Sequence, residues 1–151
     1  HFINTNIKEK LNLITRLLDN RQEERGIIFC RTKAGTKALA KQLQDEGFAV
    51  GALEGDMQQK ERDKVMRAFK NESIQVLIST DVSARGIDVN NLAFVLHYQL
   101  PEHLDYYTHR SGRTARAGKT GQSIALIIPG EMQKVIDIQK VLGITFREMT
   151  M

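Results

Sequence analysis

The densest run of chemically capable side chains is His109-Arg110-Ser111-Gly112-Arg113-Thr114-Ala115-Arg116-Ala117-Gly118, in which three arginines and a histidine surround small residues. A guanidinium presents a rigid fork of donors that matches phosphate oxygens. Gly112 lets the backbone bend so that neighbouring arginines can face one target. The competing reading is a solvated basic loop. A second string, Ser79-Thr80-Asp81-Val82-Ser83-Ala84-Arg85-Gly86-Ile87-Asp88, mixes hydroxyls, carboxylates, an arginine and a glycine. Thr80 can donate to a phosphate, and Asp88 can accept from a sugar hydroxyl. Capping of the next turn by Asp81 or Ser83 is the alternative for those two residues.

Two further strings are less specific. In Glu54-Gly55-Asp56-Met57-Gln58-Gln59-Lys60-Glu61-Arg62, Gln59 and Arg62 lie three apart and share a helix face near its start. Glutamine and arginine at a helix start suit a nucleic-acid backbone. Asp56 as N-cap with Gln59 at the third position would explain the same residues as a capping-box-like start. In Ile27-Ile28-Phe29-Cys30-Arg31-Thr32-Lys33, the polar triplet falls where a strand ends and a helix begins. It can bind an anion, or Thr32 can simply cap the helix.

The elements that must position these strings alternate helices with short apolar strands. Residues 27–30, 48–53, 76–78, 94–96 and 123–128 read as strands. Ile7, Leu11, Ile14 and Leu18 fall at helical spacing. Helices are expected over 33–46 with Gly47 as the stop, from Asp56 to Phe69, within 101–111, and over 131–142 with Gly143 as the stop. Strands apolar on both faces and separated by helices imply an α/β fold, a parallel β-sheet with helices on both faces. In such sheets ligands bind beyond the carboxyl ends of the strands, where all four strings fall.

Ala117-Gly118-Lys119-Thr120-Gly121 imitates the end of a phosphate loop. That motif needs glycine five positions before Gly118, where this chain has Arg113, and it must open a helix. Here the string leads into the strand at 123–128, so a tight polar turn is the better reading. Without a phosphate loop or an acidic motif that holds Mg²⁺, the chain lacks the parts that grip a triphosphate.

Composition sets outer bounds. A chain of 151 residues, 41% hydrophobic and 26% charged, suits one globular domain over residues 1–151. No apolar run approaches the roughly 18 residues of a membrane span, so no membrane partner is expected. The single Cys30 excludes an internal disulfide and points to the cytoplasm, and no metal site is expected. The first residue is His1, and the polar start without a signal peptide reads as a cut into a longer protein. A net charge of +4 permits a polyanionic partner.

Taken in order, the four strings closely resemble the motifs in the C-terminal half of DEAD-box RNA helicases. Ile28-Phe29 with Thr32 matches motif IV, Gln59 and Arg62 the Gln-x-x-Arg motif, Thr80-Asp81 with Arg85-Gly86-Ile87-Asp88 motif V, and His109-Arg110 with Arg113 and Arg116 motif VI. Two residues depart from the family pattern: Ala115 replaces glycine in motif VI, and Glu54 stands where histidine often precedes Gly-Asp. The resemblance implies a RecA-like domain, the second half of an ATP-dependent RNA helicase that is inactive without the first. It implies arginine fingers at Arg113 and Arg116, and ATP contacts at Asp88 and Gly86. His109 and Arg85 would couple to the other half. Arg62, Gln59 and Thr80 would hold RNA, with Arg31 and Thr32 beside them. ATP with Mg²⁺ would be bound mainly by the N-terminal RecA-like half, and the fragment alone would be monomeric.

Overall fold

The structure is a computed structural model and describes residues 1–6, 9–22, 24–84, 92–101, 107, 110 and 122–149. Among these, β1 (Phe2–Asn4), β2 (Gly26–Phe29), β3 (Val50–Leu53), β4 (Val76–Ser79), β5 (Phe94–His97) and β6 (Gln122–Ile127) form one sheet in the order β1-β6-β5-β2-β4-β3. Every neighbouring pair is parallel. The described helices are α1 (Lys10–Asp19), α2 (Lys33–Asp45), α3 (Gln59–Lys70), the single turn α4 (Asp81–Ala84) and α5 (Met132–Leu142).

The apolar runs of the strands are consecutive because both faces are covered. Ile28 and Cys30 of the β2 segment face Ile14, Leu17 and Leu18 of α1 and Leu39, Ala40 and Leu43 of α2. Ile27 and Phe29 face Phe69 of α3 on the opposite side, and Ala125 and Ile127 of β6 pack there with Val135 and Ile138 of α5. Gly26 has no side chain because a Cβ there would run into the Phe94 ring of the neighbouring strand. The helix stops are those expected: Gly47 follows α2 with φ +93°, and Gly143 caps α5 with φ +66°, conformations that glycine adopts without strain.

Three expectations are corrected. β1 does not appear in the sequence reading, because two apolar residues in a three-residue strand leave no period to detect. It is held by pairing with β6 on one side and by the tail on the other, where Phe2 donates to Arg147 O and Met149 donates to Phe2 O, both at 2.8 Å. That tail covers an edge that would otherwise present unpaired backbone groups. β3 begins at Val50 rather than at residue 48. α3 begins at Gln59, and its N-cap is Gln58, which makes no side-chain capping bond. Asp56 is therefore not a cap: its carboxylate is taken by Lys33 and Lys37 of α2. Within 101–111 only Pro101, Tyr107 and Arg110 are described, so the helix expected there lies largely outside the described residues, as does Ile7.

Candidate functional site

Register aligns the carboxyl ends of the central strands. Phe29 is level with Ser79 and with His97, and Ser79 with Leu53. The residues that follow therefore meet at one rim: Glu54 to Asp56 after β3, Thr80 and Asp81 after β4, Arg31 and Thr32 after β2, and Tyr98 and Gln99 after β5.

Arg110 is the centre of this rim. Only 1% exposed, it donates from Nε and Nη2 to the two carboxylate oxygens of Asp81 at 2.6 and 2.7 Å. It donates to Gln99 O at 2.8 Å and lies over the Phe29 ring, 4.9 Å from its centroid. One guanidinium thus joins the ends of β4, β2 and β5. The two parallel charge-assisted bonds fix its orientation as well as its place. From sequence both residues fall inside motifs, Asp81 with capping as its structural alternative and Arg110 with none. Their separation of 29 residues leaves no local spacing signal.

His97, fully buried at the end of β5, shares this network. Its Nδ1 lies 3.3 Å from Arg110 Nη1 and its Nε2 2.8 Å from Ser123 Oγ, while Tyr107 stacks on its ring at 4.9 Å. Arginine can only donate, so Nδ1 must carry the lone pair and Nε2 the proton. Burial, and next the Arg110 charge, hold the His97 imidazole well below its ordinary pKa. The unfolded chain then takes up a proton below about pH 6.5 that the native His97 refuses. Stability should accordingly fall as pH drops through that region, by up to about 1.4 kcal/mol per pH unit from this group. Urea unfolding at pH 7.5 and 5.5 should show this loss in the unsubstituted chain and less of it in His97→Asn. Equal losses in the two proteins would refute the assignment.

The remaining predicted residues fall as follows. Thr32 is the N-cap of α2, its Oγ1 accepting from Gly35 N–H at 3.0 Å, so the capping role holds. Thr80 is buried, and its Oγ1 accepts from Ser83 N–H at 3.2 Å; it is Thr80, not Asp81 or Ser83, that caps the turn of α4. Arg62 reaches from α3 to donate to Ser83 O at 3.0 Å, which brings it beside the Thr80 turn. A guanidinium carries five N–H donors, so this bond does not by itself exhaust it. Gln59 is exposed and donates to Asp63 of its own helix at 2.8 Å. Arg31 turns back over the sheet, donating from Nε to Leu100 O at 2.7 Å, with its Nη2 buried and unpartnered. Arg85, Gly86, Asp88, His109, Arg113 and Arg116 lie outside the described residues, as do Ala115 and the phosphate-loop look-alike at 117–121. No helix among the described residues is long and apolar enough to cross a membrane.

A parallel sheet of this order, with basic and hydroxyl side chains gathered at its carboxyl rim, defines a RecA-like domain. Residues 9–118 match the helicase conserved C-terminal domain family. The chain is 43% identical over 148 residues to the probable ATP-dependent RNA helicase of Methanocaldococcus jannaschii, covering 98% of this chain and 40% of that protein. It matches the solved C-terminal domain of the DEAD-box protein Dbp5 with a TM-score of 0.87 and 33% identity, covering 97% of this chain and 87% of that one. It also matches Saccharomyces cerevisiae Dbp5 bound to RNA and ADP BeF3, with a TM-score of 0.89, 32% identity and coverage of 99% and 41%. The chain belongs to the helicase conserved C-terminal domain family, in the form carried by DEAD-box proteins. It spans well under two thirds of the length of the curated relatives it matches.

Proposed function

We propose that this chain is the second RecA-like half of an ATP-dependent RNA helicase and acts with an N-terminal RecA-like half to remodel RNA duplexes. The observation that carries the proposal is the Asp81–Arg110 pair. It binds the turn capped by Thr80 to the segment that continues into Arg113 and Arg116. RNA is met on one side of this junction and ATP on the other. Thr80, Arg62 and Gln59, with Arg31 and Thr32 next to them, face RNA phosphates and sugars. Contacts of this kind carry little sequence information, which suits an enzyme that acts on many RNAs. Likeness to Dbp5 solved with RNA and ADP BeF3 supports both ligands.

On the nucleotide side, Asp88 and Gly86 hold the ribose end of ATP, and Arg113 and Arg116 reach the γ-phosphate. His109 and Arg85 contact the acidic motif of the other half. ATP is the substrate; it and its Mg²⁺ are held mainly by that half, because this sequence has no phosphate loop. We further propose that the domain works in the cytoplasm and is monomeric when alone.

The RNA assignment is tested at Arg62. Arg62→Ala in the full-length protein should weaken binding about equally for unrelated single-stranded RNAs. It should also flatten the log–log salt dependence by roughly 0.7 per lost phosphate contact. Titrations at several salt concentrations decide the matter. An unchanged slope would leave Arg62 with only its structural bond to Ser83.

A further inference from the structure

The carboxyl end of β3 carries a four-membered charge network that no role above absorbs. Glu54, the residue at which the chain departs from the family's histidine, is only 4% exposed. Its Oε2 accepts the backbone N–H of Asp56 at 2.8 Å, and its Oε1 lies 3.9 Å from Lys37 Nζ. Asp56 in turn accepts Lys33 Nζ at 3.0 Å on one oxygen and Lys37 Nζ at 3.2 Å on the other. The two lysines are one helical turn apart at the start of α2, directly after Thr32, and their side chains are 55% and 53% exposed. The Lys33 chain runs across Gly55, where an added Cβ would lie 3.3 Å from Lys33 Cδ.

Stability does not account for the lysines. α2 has no acidic residue in its first turn, and a cation there opposes the helix dipole. Exposed ion pairs of this kind contribute little to folding. What the arrangement does provide is two half-exposed ammonium groups at the rim, adjoining Thr32 and the proposed RNA path, with an in-chain carboxylate occupying both.

We propose that Lys33 and Lys37 are RNA-phosphate contacts held in reserve by Asp56, with Glu54 fixing the Asp56 turn, so that an incoming phosphate replaces the Asp56 carboxylate on the two ammonium groups. This inference rests on the reading that RNA crosses this rim. Because Asp56 and Glu54 together balance the two ammonium groups within the chain, their engagement releases few salt ions. They add affinity but little salt dependence. Removing the internal competitor converts them into ordinary, salt-sensitive contacts.

The experiment is binding of a labelled single-stranded oligouridylate to the full-length protein between roughly 50 and 200 mM salt. Asp56→Asn, a substitution at a half-exposed site that should not disturb folding, is expected to tighten binding at low salt by about two- to fivefold. It should also steepen the salt slope by roughly 0.7, for the one net positive charge gained when the Asp56 carboxylate is removed. Lys33→Ala combined with Lys37→Ala should weaken binding, and in that background Asp56→Asn should change neither affinity nor slope. Unchanged or weaker binding by Asp56→Asn, with an unchanged slope, overturns the proposal. Arg62→Ala measured in parallel separates the two possible failures. If it loses affinity and slope while the clasp variants do not, only the clasp is wrong. If it too binds like the unsubstituted protein, the RNA path itself is wrong, and the clasp falls with it.

Discussion

Arg113→Ala in the full-length protein is expected to lower RNA-stimulated ATP turnover by about 10³ or more, with Arg116→Ala close behind. A transferring phosphoryl group spreads negative charge over its oxygens in the transition state, and a guanidinium fork aimed at those oxygens is strongest at that moment. Interactions that strengthen in the transition state change the rate constant, whereas uniform binding changes only affinity. Nucleotide affinity without RNA should therefore fall far less than turnover, since in the proposed arrangement the other half holds most of the triphosphate. Lysine should rescue either site poorly, because it lacks the planar fork. Both arginines lie within six residues of Arg110, whose buried guanidinium anchors the start of their segment to the sheet. ATPase rates measured beside nucleotide affinities would settle the matter. Near-normal turnover in both variants would return the segment to a solvated basic loop.

The second large effect is on stability. Asp81→Ala leaves the Arg110 guanidinium, 1% exposed, without its counter-charge, and should cost about 3–5 kcal/mol in urea unfolding. Arg110→Met should cost somewhat less, because the Asp81 side chain is 15% exposed and can recruit water. The partners form one network, so the double variant Asp81→Ala with Arg110→Met should cost less than the sum of the singles by about 0.5–3 kcal/mol. Additive costs would mean that the pair does not hold the rim together. Loss of this pair should also loosen both the Thr80 turn and the arginine segment, so that RNA and ATP defects appear together.

Much of this organisation is legible in the chain itself. Strands such as Ile27-Ile28-Phe29 and Val76-Leu77-Ile78 are apolar on every residue because α1 and α2 cover one face and α3 the other. That signal survives in a single sequence. Gly47 and Gly143 mark helix ends through a backbone requirement that is equally local. What could not be read depends on distant partners. β1 exists only because β6 and the tail at 147–149 supply its hydrogen bonds. Asp56 looks like a cap from its neighbours in sequence, yet two lysines of α2 about twenty residues earlier claim its carboxylate. Arg110 and Asp81 identify each other only once β5, β2 and β4 lie side by side. The motif residues Arg85, Gly86, Asp88, His109, Arg113 and Arg116 rest on the family pattern, since they lie outside the described residues.

The central claim, that this chain completes an ATP site whose phosphate loop belongs to another domain, is tested most directly by RNA-stimulated ATP hydrolysis. The measurement compares the purified 151-residue chain with the full-length protein, both at saturating single-stranded RNA. No turnover above background is expected from the chain alone, and robust turnover from the protein that carries both halves. Hydrolysis by the isolated chain at a rate comparable to the full-length protein would contradict it.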